Sequence, residues 1–281
     1  MSVMIWEAPA KLNFSLELRP PDRTGYHPLR SLCQSIERLD LLTIETGEDE
    51  DLTVVGDELE TGEDNLVWRA VRCLVGRPDR PRLVMSLRKE IPAAAGLGGG
   101  SADAAAALRG AAAVYGKQDD DVRGCAPAVG ADVPFFLDGG SRWMEGYGEL
   151  LTEVEALDGF CVAVAVPPFV IPTPAAFARW DELDGPTGPY VPERAVPPAL
   201  RGYGPLRNDL TPAALSLQPE LGDWAADLSA RWGRPVAMTG SGSAHFGFFA
   251  DMDEATHAAH DVSDVRASFA AALRETGVSR R

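Results

Sequence analysis

Ile91-Pro92-Ala93-Ala94-Ala95-Gly96-Leu97-Gly98-Gly99-Gly100-Ser101-Ala102-Asp103, running on into Ala104 to Ala107 and Leu108, is the most informative stretch of the 281-residue chain. Four of the five residues from Gly96 to Gly100 are glycine, a residue that reaches positive φ without a Cβ clash and lets a ligand approach the backbone. A glycine run leading into a helix leaves amide N–H groups unpaired, and those amides together with the helix dipole favour an anion such as phosphate. Ser101 can add a hydroxyl there, as cap or ligand. The alanines that follow are the strongest helix formers, and their small side chains allow close packing beneath such a site. On this stretch alone, a flexible turn before a surface helix remains an alternative.

Two familiar phosphate loops are excluded. No lysine follows the last glycine, as G-x-x-x-x-G-K-[ST] requires, and the run ends in Ser101 where the dinucleotide fingerprint needs glycine. Upstream, Arg82 to Leu87 alternates as a strand and delivers the chain into the loop, so the order is strand, loop, helix.

With 45% apolar residues the chain can build one large core or two ordinary ones. No apolar run approaches the roughly 18 residues of a membrane span, and Met1 to Glu7 lacks the pattern of a secretory signal, so a cytoplasmic protein without a membrane partner is expected. A net charge of -16 argues against nucleic acid, which would need a basic face. An anionic ligand must then be met by local donors. Lysine is scarce, with only Lys11, Lys89 and Lys117, so one retained in an apolar setting invites a functional reading. Cys33, Cys73, Cys125 and Cys161 are widely spaced and read as small core residues rather than a zinc or redox site. His257 and His260 lie three apart on an expected helix with no third ligand, which reads as a solvated face.

Along the chain, Ala8 to Leu18 alternates as a strand with Lys11, Asn13 and Ser15 on one face, either bordering a pocket or half-exposed. Leu29 to Ile44 is a second strand, Glu45 to Glu63 a solvated hairpin connection, and Asp64 or Asn65 caps a helix over Leu66 to Leu74. Asp119 opens another short helix. In Ala128 to Gly140 an aspartate, Asp132, stands between apolar runs; a buried carboxylate is costly unless paired or used, so it is a helix cap, a salt-bridge partner or a general base. Gly146 to Glu149 is a hairpin turn, and Phe160 to Val166 a central strand, with a domain boundary placed at 157/158. Asp184 to Pro205 is an irregular, proline-rich excursion. Leu206 to Leu210 opens a helical region, Met238 to Ala244 is a second glycine-serine loop, His245 to Ala250 a strand, and the chain is expected to end in a helix reaching about Thr276.

Pro9-Ala10-Lys11-Leu12-Asn13, Gly25-Tyr26-His27, Glu63-Asp64-Asn65-Leu66, Pro92 with Gly96 to Asp103, Gly130 to Phe136, Ile171-Pro172-Thr173-Pro174, Asn208-Asp209-Leu210 and Thr239-Gly240-Ser241-Gly242 together resemble the galactokinase, homoserine kinase, mevalonate kinase and phosphomevalonate kinase (GHMP) superfamily. Within it, the chain is most similar to the kinases that phosphorylate 4-diphosphocytidyl-2-C-methyl-D-erythritol in non-mevalonate isoprenoid biosynthesis. The resemblance implies an α+β, two-domain GHMP kinase fold: an N-terminal ribosomal-S5-domain-2-like ATP-binding domain over residues 1–157 and a ferredoxin-like domain over 158–281. It implies ATP as co-substrate with Mg²⁺, its phosphates on Pro92, Gly96, Leu97, Gly98, Gly99, Gly100 and Ser101, and Asn65 near adenine. It further implies Asp132 as the base toward the acceptor hydroxyl and Lys11 as its orienting cation. Tyr26 and Phe177 would sandwich the cytosine, His27 would bond its edge, and Asn13 and Thr173 would hold the erythritol and diphosphate. Ala102 stands where the family commonly repeats serine, so the metal ligands are left open, as is the choice of monomer or homodimer. A kinase for another small alcohol and a non-catalytic nucleotide-binding homologue are the rival readings.

Overall fold

The computed structural model describes residues 3–57, 59–75 and 82–281; Met1, Ser2 and, in the acidic connection, Glu58 lie outside the described residues. The elements in order are β1 (Met4–Leu18), β2 (Leu29–Gly47), β3 (Asp51–Val55), α1 (Leu66–Val75), β4 (Arg82–Arg88), α2 (Gly99–Tyr115), α3 (Asp119–Val129), α4 (Val133–Asp138), β5 (Ser141–Gly146) and β6 (Leu150–Glu153). Then come β7 (Cys161–Val166), α5 (Thr173–Glu182), α6 (Thr211–Leu217), α7 (Glu220–Trp232), β8 (Ala237–Met238), β9 (His245–Phe249), α8 (Met252–His260), β10 (Ala267–Ala271) and β11 (Ser279–Arg280).

The strands form two sheets. One runs β11-β1-β2-β4-β3, with β5 and β6 continuing from the other half of the long β2; the second runs β10-β7-β9-β8 and is antiparallel throughout. β1 is buried on both faces over most of its length, because α2 covers one side and the second sheet the other. Trp6 and Ala8 join the core under α1 to α4, whereas Ala10, Leu12 and Phe14 join a core shared with β7 and β9. Phe14, Phe160, Phe246 and Phe248 make an edge-packed aromatic cluster there, an arrangement suited to ring quadrupoles. Alternation along β7 sends Val162, Val164 and Val166 to that shared core and Cys161, Ala163 and Ala165 to α7 and α8.

Helix α2 is buried on every side from Ala102 to Leu108, which is why that stretch is nearly all alanine. Its alanines, and Gly110 where any Cβ would overlap Ile44, let it lie close on the first sheet. Gly116 ends it in the left-handed conformation usual for a C-cap.

Three expectations are corrected. The acidic segment 45–63 is no plain connection: β3 lies in it and pairs in parallel with β4, with Leu52 buried and Val54 partly buried on one face of this edge strand. The last helix stops at His260, and the chain continues into β10 and β11, because Ala267–Ala271 finds a ladder partner in β7 that outweighs the helical preference of alanine. Cys33 and Cys161 are buried, but Cys73 is exposed on α1, its Sγ 3.8 Å from the Cys125 carbonyl, and Cys125 is only half-buried. His257 and His260 are both exposed on α8.

His245 on β9 is buried, its Nδ1 lying 3.0 Å from the Ser243 carbonyl and its ring edge-on to Trp224. Burial pushes its pKa down from 6.5 to about 4, so it is neutral in the folded chain. A depressed folded pKa gives stability that is complete above 6.5 and lost as pH falls toward 4. The cost is about 2–3 kcal/mol by about pH 4.5, measurable by denaturant unfolding at the two pH values. His245→Gln should flatten that part of the acid slope; an unchanged slope would assign it to other groups.

Candidate active site

The loop from Ile91 to Gly98 carries the chain from β4 to α2 and is fixed from both sides. Lys11 N of β1 donates to Leu97 O at 3.0 Å, and Ala244 N, from the second glycine loop, donates to Ala95 O at 3.1 Å. Gly98 caps α2 in the left-handed region (φ 74°), where a Cβ would come within 2.6 Å of Phe136. No side chain caps this helix end, so the amides of its first turn, Gly99 to Ser101, are free to receive an anion. Burial of α2 from Ala102 to Leu108 removes the surface-helix alternative.

Facing this loop is Lys11. Its ammonium donates to Asn13 Oδ1 at 2.5 Å and lies 3.5 Å from Asp132 Oδ2. Asn13 in turn donates through Nδ2 to Ser31 Oγ (2.7 Å) and to Cys33 Sγ (2.9 Å), and its backbone N–H donates to Thr239 Oγ1 (2.9 Å). The polar face of β1 is therefore buried and networked rather than half-exposed, with Lys11 and Asn13 each 5% exposed. Burial pushes the Cys33 thiol up to about 11, which keeps it neutral beside this network.

Asp132 differs from the sequence expectation in one respect. Its side chain is 36% exposed, because it opens onto the cleft instead of being sealed among the apolar residues that flank it. It occupies the N-cap position of α4 yet makes no capping bond, so the carboxylate is available to the cleft.

One cleft of about 370 Å³ is lined by Lys11, Asn13, Pro92, Gly96 to Ser101, Asp132, Thr173 and Phe177. Thr173 starts α5, and its hydroxyl bonds that of Ser241 at 2.7 Å. Three expected residues do not reach the wall. Asn65 caps α1, accepting from Val67 N at 2.9 Å and donating to the Glu60 carbonyl at 2.7 Å, while its neighbour Leu66 lines the cleft. Tyr26 is 67% exposed and rests on Tyr147 (ring centroids 5.7 Å apart). His27 sits against Phe177 and Trp180, its Nε2 at 2.8 Å from Asp181 Oδ1, so it borders the cleft through Phe177. Sequence reasoning assigned no role to Ser31, Ser241 or Lys89, which also line it. Of these, Lys89 carried a signal as one of few lysines, and Ser241 as part of the second glycine-serine loop.

Among the described residues no group of His, Cys, Asp or Glu converges as a metal site, and no helix is long and apolar enough to cross a membrane.

Residues 65–140 match the GHMP kinases N terminal domain family. The chain is 38% identical over 275 residues to a 4-diphosphocytidyl-2-C-methyl-D-erythritol kinase of Methylorubrum extorquens (strain PA1), covering 92% of this chain and 94% of the relative. It is 34% identical to the enzyme of that name from Geobacter sulfurreducens, covering 98% and 99%. A crystal structure of 4-(cytidine 5'-diphospho)-2C-methyl-D-erythritol kinase superposes with a TM-score of 0.78 at 36% identity, covering 96% of this chain and 99% of the other.

Proposed function

Because the chain belongs to the 4-diphosphocytidyl-2-C-methyl-D-erythritol kinase family of GHMP kinases, we propose that it transfers the γ-phosphoryl group of ATP to the 2-hydroxyl of that compound, with Lys11 and Asp132 at the reacting atoms. The observation that carries the residue roles is the Lys11–Asp132 pair, 3.5 Å apart and facing uncapped helix amides across one cleft. Asp132 takes the hydroxyl proton as the oxygen attacks the γ-phosphorus. The bond to the β,γ-bridging oxygen breaks, and ADP leaves with the electron pair. Lys11 holds the carboxylate in place and offsets charge near the transferred group. Such a reaction needs little covalent help, so positioning and electrostatics supply most of the rate.

Residues 1–157 contribute the amides of Gly96 to Ser101 and the Lys11–Asp132 pair, and residues 158–281 contribute Thr173 and Phe177. Mg²⁺ is usually held by phosphate oxygens, water and one or two protein oxygens, and the donor set fits that: among the described residues no metal cluster converges, while the hydroxyl-bearing Ser101 stands in the first turn of α2. Ser101 would hold the ion, which would neutralise phosphate charge. Asn13 and Thr173 would hold the erythritol and diphosphate, Asn65 would sit near adenine, and Phe177 with Tyr26 and His27 would hold the base.

A coupled assay of ADP formation tests the reading. Turnover should require ATP and the cytidylyl substrate, and mevalonate or homoserine should not replace it; turnover on those alcohols alone would overturn the assignment. Phe177→Ala should raise KM for the cytidylyl substrate about tenfold to a hundredfold, the worth of stacking one base, with KM for ATP little changed.

A further inference from the structure

Cys73 and Cys125 stand on different helices, 52 positions apart in sequence, and meet where α1 packs on α3. The Cys73 Sγ lies 3.8 Å from the Cys125 carbonyl oxygen and donates toward it. The two thiols are also neighbours of one another. Burial pushes Cys125 up to about 12, and the next contribution is a hydrogen bond with the Cys73 thiol; Asp121 adds to the push and Lys117 opposes it. Cys73 is exposed and Cys125 half-buried, so one thiol of the pair is open to a reagent in solution while the other waits behind it.

The remaining cysteines are elsewhere and enclosed. Cys33 is buried on β2, where its Sγ accepts from Asn13, and Cys161 is buried on β7, where its Sγ donates to the Phe249 carbonyl at 3.7 Å. Packing accounts for those two as small core residues, but an exposed thiol on α1 is set apart by reactivity. Both helices of the pair lead to the cleft. Helix α1 begins at Leu66, which lines the cleft and approaches Gly100, and α3 ends at Val129, just before Asp132.

We propose that Cys73 and Cys125 form a site of reversible thiol oxidation, a dithiol that closes into a disulfide between α1 and α3 when the chain meets a low-molecular-weight disulfide. The Cys73 thiolate attacks one sulfur of the reagent, forming a mixed disulfide and expelling the first thiolate. Cys125 then loses its proton and attacks the Cys73 sulfur, expelling the second. Two cysteine thiols are oxidised, the reagent's S–S bond is reduced, and its two halves leave as thiols. The second step is the slower one, because burial disfavours the Cys125 thiolate. Since the side chains already touch, closure needs side-chain rotation and no displacement of either helix. The bond therefore acts as a staple across the helix layer, leaving the Lys11–Asp132 pair and the first turn of α2 in place. Under reducing conditions the pair stays a dithiol.

The full reduced chain, freed of reductant and incubated with oxidised glutathione, tests this by intact mass and by non-reducing peptide mapping after the remaining thiols are alkylated. A glutathione adduct on Cys73 should appear first and then give way to a chain lighter by two hydrogens, with the Cys73 and Cys125 peptides joined. Dithiothreitol should restore the starting mass. Closing so long a loop should raise the unfolding midpoint by about 5–10 °C, with kcat and both KM values unchanged. Cys125→Ser should keep the adduct on Cys73 and gain no stability, and Cys73→Ser should form neither adduct nor cross-link. Cys73→Ser replaces an exposed side chain, so it decides the matter even where Cys125→Ser does not fold. A wild-type adduct on Cys73 that never resolves, a cross-link through Cys33 or Cys161, or no reaction at all would overturn the site. Loss of turnover on closure would overturn the staple, because a helix would then have moved. None of these mass readouts depends on which alcohol the chain phosphorylates.

Discussion

Asp132→Asn should lower kcat by about a hundredfold to ten-thousandfold, the range expected when a positioned general base is removed, while KM for ATP and for the alcohol changes little. The substitution keeps the shape of the side chain and removes only its ability to accept a proton. Its structural cost is small, since the carboxylate makes no capping bond to α4 and is 36% exposed. Lys11 keeps its bond to Asn13 in this variant, so the ammonium is not stranded. Because Lys11 acts through and beside Asp132, a Lys11→Met, Asp132→Asn double variant should be only slightly slower than the worse of the single ones, as residues that act as a unit are strongly non-additive. Steady-state kinetics with the unfolding midpoint measured in parallel separates this from a folding defect. Turnover within a few fold of wild type would remove Asp132 from the chemistry.

The readable part of this chain was its local patterns. The strand, glycine loop and alanine helix follow from periodicity and from what glycine and alanine do to a backbone, and β4, α2 and the Lys11-bearing strand lie where those patterns put them. That Asp132 faces Lys11 across the loop needed the resemblance as well, because nothing in spacing alone brings position 132 to position 11. What stayed hidden depends on pairing between distant segments. β3 is five residues set in an acidic, turn-rich segment and becomes a strand because β4 offers its edge; Ala267–Ala271 looks helical until β7 is beside it. The buried triad escaped for the same reason. Asp40, Lys89 and Asp103, whose side chains meet in one buried cluster, come from three separate segments, and only Asp103, an acid within an alanine-rich helix, shows an anomaly in its own neighbourhood. The second glycine loop was visible as a motif, but its task, bracing the first, is a contact across the two halves of the chain.

That bracing predicts the outcome of a minimal change, Gly96→Ala. Gly96 has φ 81°, a region that costs an alanine about 1–2 kcal/mol by itself. Its Cβ would also overlap the carbonyl oxygen of Thr239 and come within 3.2 Å of the Gly242 carbonyl oxygen, both backbone atoms that cannot swing aside. The second loop must move away or the first must unwind. Either movement disturbs the Ala244–Ala95 hydrogen bond and the amides that follow. The chain should therefore lose about 3 kcal/mol or more of stability, and KM for ATP should rise by about a hundredfold, the larger share coming from the misplaced loop. Gly116→Ala is the control, since it has a similar φ of 67° at the far end of α2 with no atom near its would-be Cβ. It should show only the conformational cost and leave KM for ATP where it was. If the two variants matched in both unfolding midpoint and KM, the contact between the loops would be incidental, and the phosphate loop would owe its shape to its own residues alone.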